Sequence, residues 1–399
     1  MSPTYFPNVT LFDGSAAREG AGVLVSDGTI SWVGAHRSAP REALDADTIE
    51  TAGGTLTPGL IDCHVHLCFD GGPDFVAEAR ITEPYAAVKC VRNAERHLRA
   101  GVTAVRDLGG LGAVACDVAR AIEDGRVTGP RVVASGQALT ISGGHGWNTF
   151  AREVDGVDGI RRAVRKQMRS GARSIKIVAT GGVLTPAIPV DFMSFTAEEV
   201  DAAVEEAHKW GVPVAAHAIG ESGIANCVRA GVDSIEHGSH ITADIARAMK
   251  EQGTFHVPTI SALHGIVEHP EDVPAYAVEK GRQILGAARE AFGLTTEIGV
   301  RHACGTDAGT PHNPHGGAPA ELIKMVEWGL PAPSALRAAT SDAAHLLRLR
   351  RVGVIEEGMV ADLVLWEGNP LDDIEAVRKP RLVMKSGELF GNELFAKFS

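Results

Sequence analysis

The stretch Gly59 to His66, GLIDCHVH, sets two imidazoles two residues apart at the end of an apolar run. In an extended strand successive side chains alternate faces, so His64 and His66 project to the same side and Cys63 to the other. Three more apolar runs carry a residue of comparable chemistry: Lys176 in SIKIVAT (174–180), His217 in PVAAHAI (213–219) and His237 in DSIEHG (233–238). Asp307 closes another, RHACGTD (301–307). Four histidines and a carboxylate form a ligand set for zinc or another divalent cation, and a pair of cations can hold an attacking water and a carbonyl together. Lysine fits differently, because an ammonium with the ordinary pKa of about 10.4 cannot ligate. As a neutral amine that has captured carbon dioxide it becomes an anionic carbamate, whose two oxygens can bridge two cations. Each residue alone has an ordinary alternative: a hydrogen-bonded core histidine, a half-exposed lysine, a carboxylate capping a loop. Asp62 likewise could tie down a neighbouring strand end. Coincidence of all of them at successive strand ends argues for one site.

Such a set needs a repeated strand to position it. Eight runs of strand length recur, at 60–66, 102–108, 131–136, 174–180, 213–219, 233–238, 254–260 and 301–307. Amphipathic stretches at 86–99, 159–169, 197–209 and 243–251 have the apolar spacing of helices packed on a sheet. Thr196, followed by Glu198 and Glu199, marks a helix start. This alternation predicts an α/β fold, a (β/α)8 TIM barrel, with chemistry at the C-terminal ends of the strands. Residues 6–50 and 351–391 instead alternate apolar and polar residues around turn signals such as LFDGS and SDGT. They predict short strands and hairpins that combine into a small composite β-sandwich domain. The expected boundaries are 1–56 and 351–399 for the two parts of that domain and 57–350 for the barrel.

Of 399 residues, 44% are hydrophobic and 22% charged, the balance of a folded globular chain rather than a disordered one. A net charge of −12 without a basic run excludes the electrostatic footprint of a nucleic-acid or anionic-membrane partner. The N-terminal residues lack a basic segment followed by a long apolar one, and no run reaches membrane-spanning length, so a cytoplasmic location is expected. Six cysteines, scattered without CxxC spacing, read as reduced and mostly buried thiols.

PGLIDCHVH, SIKIVATGG, AAHAIG, SIEHGSHI and GTDAGTP, with the ending from Val352 to Leu371, resemble the amidohydrolase superfamily over nearly the whole chain. The chain looks most similar to the group of metal-dependent prolidases (Xaa-Pro dipeptidases), related carboxypeptidases and ochratoxin-hydrolysing amidases, and it also resembles imidazolonepropionases. The resemblance implies two divalent metal ions, zinc foremost. His64 and His66 would hold the more buried one, His217 and His237 the second, and carbamylated Lys176 would bridge them. Asp307 would bind the first metal and exchange protons with the attacking water. Imidazolonepropionases use one metal and lack the bridging lysine, so Lys176 points to the two-metal group. The segment Gly143-Gly-His145-Gly, as in the prolidase-like group, would bring an imidazole beside the scissile carbonyl, or His145 could merely close a flexible loop.

The expected activity is hydrolysis of a C–N bond in a small-molecule amide: a dipeptide, an N-acyl amino acid or an ochratoxin-like aromatic amide. A hydrolase of cyclic amides, ureas or carbamates, or a deaminase, would use the same barrel. A non-catalytic binding relative is disfavoured because every ligand type is retained. Specificity should lie in the loops after the third, fourth, seventh and eighth strands. The insert GGVLTPAIPVDFM (181–193) is more apolar than the Gly/Asp-rich stretch of the prolidase-like group, which counts against recognition of a proline dipeptide and allows a bulkier or aromatic substrate. Arg80, Tyr85 and Arg152 are candidates to meet a substrate carboxylate. His312, His315, His240 and His256 could face substrate or support the site, whereas His208, His264, His269, His302 and His345 are assigned to surface or core. A homo-oligomer is expected.

Overall fold

In the computed structural model, residues 2–391 are described; Met1 and residues 392–399 of the expected end units lie outside them. Apolar runs that are buried on both faces become parallel strands here, as continuous hydrophobic sequence requires. Leu60–Val65, Val102–Asp107 and Arg131–Ala134 form one three-stranded parallel sheet. Ile175–Val178, Val214–Ala218, Ser234–His237 and Phe255–Val257 run parallel in a second sheet, which the short strands Ala138–Thr140 and Ala151–Glu153 extend to six. Helices Glu83–Arg99, Val157–Arg169, Ala197–Lys209 and Ala243–Gln252 lie between them in sequence, and Thr196 and Glu199 form the reciprocal capping box at the start of the third. Ile177, Ala216 and Ile235 share one core cluster with Val200 and Val204 of that helix. A 24-residue helix, Ala275–Ile298, follows the last parallel strand and lies outside the regular helical runs legible in the sequence.

The eighth expected strand, 301–307, departs from expectation. It makes only isolated bridges, His302 to His256 and Ala308 to Val65, and not a ladder. The reason is local: Asp307 sits at φ 60°, so the chain leaves the extended conformation where it passes the ends of its neighbours. Single backbone bonds still join the two sheets through this segment, from His256 N to Arg301 O (2.9 Å), Cys63 N to Cys304 O (2.7 Å) and Asp307 N to His64 O (2.7 Å). On the opposite side Arg173 N donates to Ala134 O (2.8 Å). The hydrogen-bonded ladder is therefore two parallel sheets and not one closed barrel.

The chain ends meet in one mixed eight-stranded sheet. Thr55–Pro58 pairs parallel with Thr4–Phe12 on one side and antiparallel with Leu363–Trp366 on the other, Leu56 lying opposite Leu365. Asp27 and Gly28, both at positive φ (49° and 75°), close the hairpin between Ala17–Ser26 and Thr29–Ala35, as a two-residue turn of this hand demands. In hydrogen bonding the expected sandwich is a single ladder, though Phe6, Val23, Leu363 and Met384 share one core cluster. All six cysteines are buried and free. Among the described residues no helix is long and apolar enough to cross a membrane.

Candidate active site

One cavity is lined by His64, His66, His145, Lys176, His217, His237 and Asp307, so the seven residues singled out from the sequence surround a common space. Strand geometry delivers five of them directly: His64, Lys176, His217 and His237 lie on parallel strands, and His66 follows at the end of the first. His237 and Asp307 adopt φ of 69° and 60°, strained positions that turn their side chains at the strand mouths. Ring centroids lie 5.4 Å apart for His64 and His66, 5.3 Å for His64 and His237, and 4.6 Å for His217 and His237. His145 stands 4.7 Å from His217.

Every imidazole is anchored through one nitrogen. Nδ1 of His64 bonds Glu236 Oε2 (2.8 Å), and Nδ1 of His66 bonds Gly109 O (2.8 Å). His217 uses Nε2 on Gly181 O (2.9 Å), and His237 uses Nδ1 on Thr259 Oγ1 (2.6 Å), whose own proton goes to Pro258 O. The second nitrogen of each ring is left for the cavity. That is the arrangement by which outer partners fix the tautomer and aim of a ligating histidine.

Burial holds His64, His217 and His237 well below the usual imidazole range, with the charges of Lys176 and neighbouring rings adding to it, so these rings are neutral. With Nδ1–H of His64 donated to Glu236, its Nε2 is a lone-pair acceptor. Yet it faces Asp307 Oδ1 at 3.4 Å, and Nε2 of His66, whose Nδ1 is likewise engaged, faces the same oxygen at 3.1 Å. Acceptors this close need a cation or a proton between them. The ligand atoms of His64, His66 and Asp307 all lie within 4.8 Å of one another, a group able to hold a metal ion. Burial raises the Asp307 carboxyl, but His64, His66 and Lys176 outweigh it and leave the net value low, as an anionic ligand requires.

Lys176 is 2% exposed, and its Nζ has no hydrogen-bond partner. Burial lowers its pKa to about 8 against the pull of Glu236 and Asp307, which brings the neutral amine within reach near neutral pH. A buried amine with no acceptor is costly as it stands.

Arg106, Glu236 and Asp107 support the site and escaped the sequence reading, whereas Asp62 ties strand ends together as its position suggested. Arg106 and Glu236 form a fully buried ion pair (2.9 Å), and Arg106 also bonds Cys63 O and Ser234 Oγ; Glu236 in turn orients His64. Alternation on the strand Ser234–His237 places Ser234 and Glu236 on one face, the signal that could have found them. Asp62 accepts from Thr306 N and Oγ1 and from His64 N, tying the segment that carries Asp307 to the first strand. Asp107 accepts from Leu67 N and Gly109 N, fixing the turn whose carbonyl holds His66. His145 is buried, its pKa lowered to about 3 chiefly by desolvation, and its Nδ1 is bonded to Thr185 Oγ1 (2.7 Å). A Cβ on Gly182 would sit 2.4 Å from the His145 ring, so glycine there permits the loop to close over it.

The remaining candidates lie elsewhere. His256 bonds the His237 carbonyl from behind, and His240 bonds Ile219 O. His315 bonds His97 and Phe69 O, while His312 stacks on His269 at 3.9 Å. Arg80 and Tyr85 are exposed, Arg152 is half-buried, and none of the three lines the cavity. Phe75, Ser239 and Ile284 do line it and were not anticipated.

Residues 55–390 match the sequence pattern of the amidohydrolase family. The chain is 33% identical to ochratoxinase of Aspergillus niger over 95% of its length and 84% of that protein. It is 26% identical to imidazolonepropionase of Paracoccus denitrificans, over 88% of each. The crystal structure of a Xaa-Pro dipeptidase with bound methionine superposes with a TM-score of 0.90 at 33% identity, covering 98% of this chain and all of that one. The chain thus belongs to the amidohydrolase family, as a prolidase- and ochratoxinase-like hydrolase acting on C–N bonds.

Proposed function

We propose that the protein is a two-cation amidase. His64, His66 and Asp307 would hold one divalent cation, His217 and His237 the other, and carbamylated Lys176 would bridge them. Zinc suits so nitrogen-rich a set. The observation that carries this reading is the encounter of the His64 and His66 acceptor nitrogens with Asp307 Oδ1, reinforced by the buried, partnerless Lys176 amine. When bound, such cations lower the pKa of water from 15.7 towards about 7 and polarise a carbonyl oxygen.

The chain's own groups supply the rest. Asp307 Oδ atoms accept the proton of the attacking water and return it to the departing nitrogen. Hydrolysis adds water across the C–N bond, hydroxyl to the acyl carbon and hydrogen to the amine. His145 donates from Nε2 to the oxyanion. We take its tautomer from Thr185: Oγ1 accepts Gly146 N–H (3.2 Å) and, among the described residues, has His145 Nδ1 as the one acceptor for its own proton, which leaves the ring proton on Nε2. Dipeptides, N-acyl amino acids and ochratoxin-type aromatic amides all present the scissile bond, and the apolar side of the cavity favours bulky ones.

We read 57–350 as one eight-unit barrel closed through the 301–308 bridges, with 1–56 and 351–399 as one small unit; the separate core cluster of the terminal sheet supports this. Six buried free cysteines fit a reducing compartment such as the cytoplasm. Metal analysis of the purified chain, with and without bicarbonate, tests the central reading alongside a screen of amides. Two divalent cations per chain and amide cleavage are expected. Retention of full activity by Lys176→Met, or a chain that binds no cation, refutes it.

A further inference from the structure

The wall of the cavity away from the proposed cations determines what can flank the scissile bond. It is built from Val183, Leu184, Ile219, Leu263, Ile266 and Ile284, while Phe75 and Phe150 line the cavity on the His66 side. Among the described residues no arginine or tyrosine lines the cavity, and its one amine is Lys176. Lys280, whose charge acts on His145, is already engaged: Nζ donates to the carbonyls of Gly182 (3.3 Å), Thr185 (2.7 Å) and Ile188 (2.6 Å). The polar group left over is uncharged. Ser239 is 1% exposed, lines the cavity, and its Oγ has no partner.

We propose that the substrate is a neutral amide, apolar on both sides of the bond that breaks, with the Ser239 hydroxyl bonding an uncharged polar atom of it. This rests on the amidase reading above and narrows it, because dipeptides and N-acyl amino acids carry a carboxylate next to the amide nitrogen. That carboxylate would lose its water against an aliphatic wall that holds no cation for it and offers at most the single Ser239 hydroxyl, a cost that a neutral molecule avoids. Water is the one co-reactant, and the products are a carboxylic acid and an apolar amine.

A matched pair tests this on the full-length, zinc-supplemented protein: N-(4-chlorobenzoyl)phenethylamine and N-(4-chlorobenzoyl)phenylalanine, which differ in the carboxylate alone. The neutral member should show kcat/KM at least about tenfold higher, the ratio an unpaired buried charge imposes at minimum. Equal or better cleavage of the carboxylate member overturns the proposal and leaves the amidase reading standing. Cleavage of neither, nor of a set of simple anilides, overturns the amidase reading and this proposal with it. Leu184→Arg, which introduces a cation into the wall, should shift the ratio about tenfold towards the carboxylate member, with its thermal midpoint confirming the fold. A ratio unmoved in a folded Leu184→Arg variant also counts against the proposal.

Discussion

Thr185→Val isolates the device that sets the His145 proton. Thr185 and His145 are both buried, and the hydroxyl makes two bonds, to His145 Nδ1 at 2.7 Å and from Gly146 N at 3.2 Å. Valine keeps the shape and removes both. Each buried group left unpaired costs roughly 1–3 kcal/mol, so about 2–6 kcal/mol of stability should be lost for the two. The effect on catalysis is separate. Once Nδ1 no longer accepts a proton from threonine, the neutral ring can carry its hydrogen there, and Nε2 turns from donor into acceptor. Loss of one oxyanion donor lowers kcat by about 10²–10³-fold, and KM should change little because the contact strengthens only as negative charge develops. Steady-state kinetics on a cleavable amide read the split between kcat and KM. Nitrogen-15 NMR of labelled histidine reads the tautomer, and Thr185→Ser should restore both. A folded Thr185→Val protein with kcat within about threefold of wild type, against the 10²-fold expected for a lost donor, removes His145 from the chemistry.

Other perturbations probe the remaining parts. Asp307→Asn should retain bound cation yet lower kcat by about 10³-fold, the range of a positioned proton acceptor; near-normal turnover would exclude that role. Arg106→Met leaves Glu236 buried without its cation and should cost about 3–5 kcal/mol in denaturant unfolding, whereas a loss below about 1 kcal/mol would mean the pair is dispensable. Lys280→Met releases three loop carbonyls and should raise KM more than it lowers kcat while exposing 181–193 to proteolysis, with Lys280→Arg partly correcting both. Glu321, whose oxygens accept from Ile260 N and Ser261 N, has its pKa raised by burial from 4.5 to about 7. Its folded value exceeds its unfolded one, so the stability it contributes falls as pH climbs from about 4.5 to about 7 and then levels off. Glu321→Gln should shrink the difference in unfolding free energy between pH 5 and pH 8 by about 3 kcal/mol, and an unchanged difference would show that this carboxyl ionises normally.

The residues around the cavity were legible because a strand has period two. That period brought His64 and His66 to one face, and the run of apolar segments brought Lys176, His217 and His237 to corresponding ends. What the period cannot express is a partner from another element. Arg106 meets Glu236 across two sheets, and Thr185 reaches His145 from a loop with no regular repeat. The segment 301–307 has the composition of a strand, but Asp307 lies in the left-handed region, next to the Thr306 that Asp62 holds, and neither feature is written in its hydrophobic pattern. Helix Ala275–Ile298 was missed because its apolar face is interrupted by glycines and charges, and tertiary packing stabilises it instead.

The sheet that unites the chain ends makes order of synthesis matter. Trp366 Nε1 donates to Thr57 Oγ1 at 2.9 Å across 309 positions, and Leu56 pairs with Leu365 beside it. On a ribosome elongating at about 5–20 residues per second, Thr55–Pro58 therefore waits roughly 15–60 s for its antiparallel neighbour. During that interval one of its edges is open to any other nascent strand. Polysome crowding and chaperone supply, more than the barrel segments themselves, should govern how much of this protein reaches its native form.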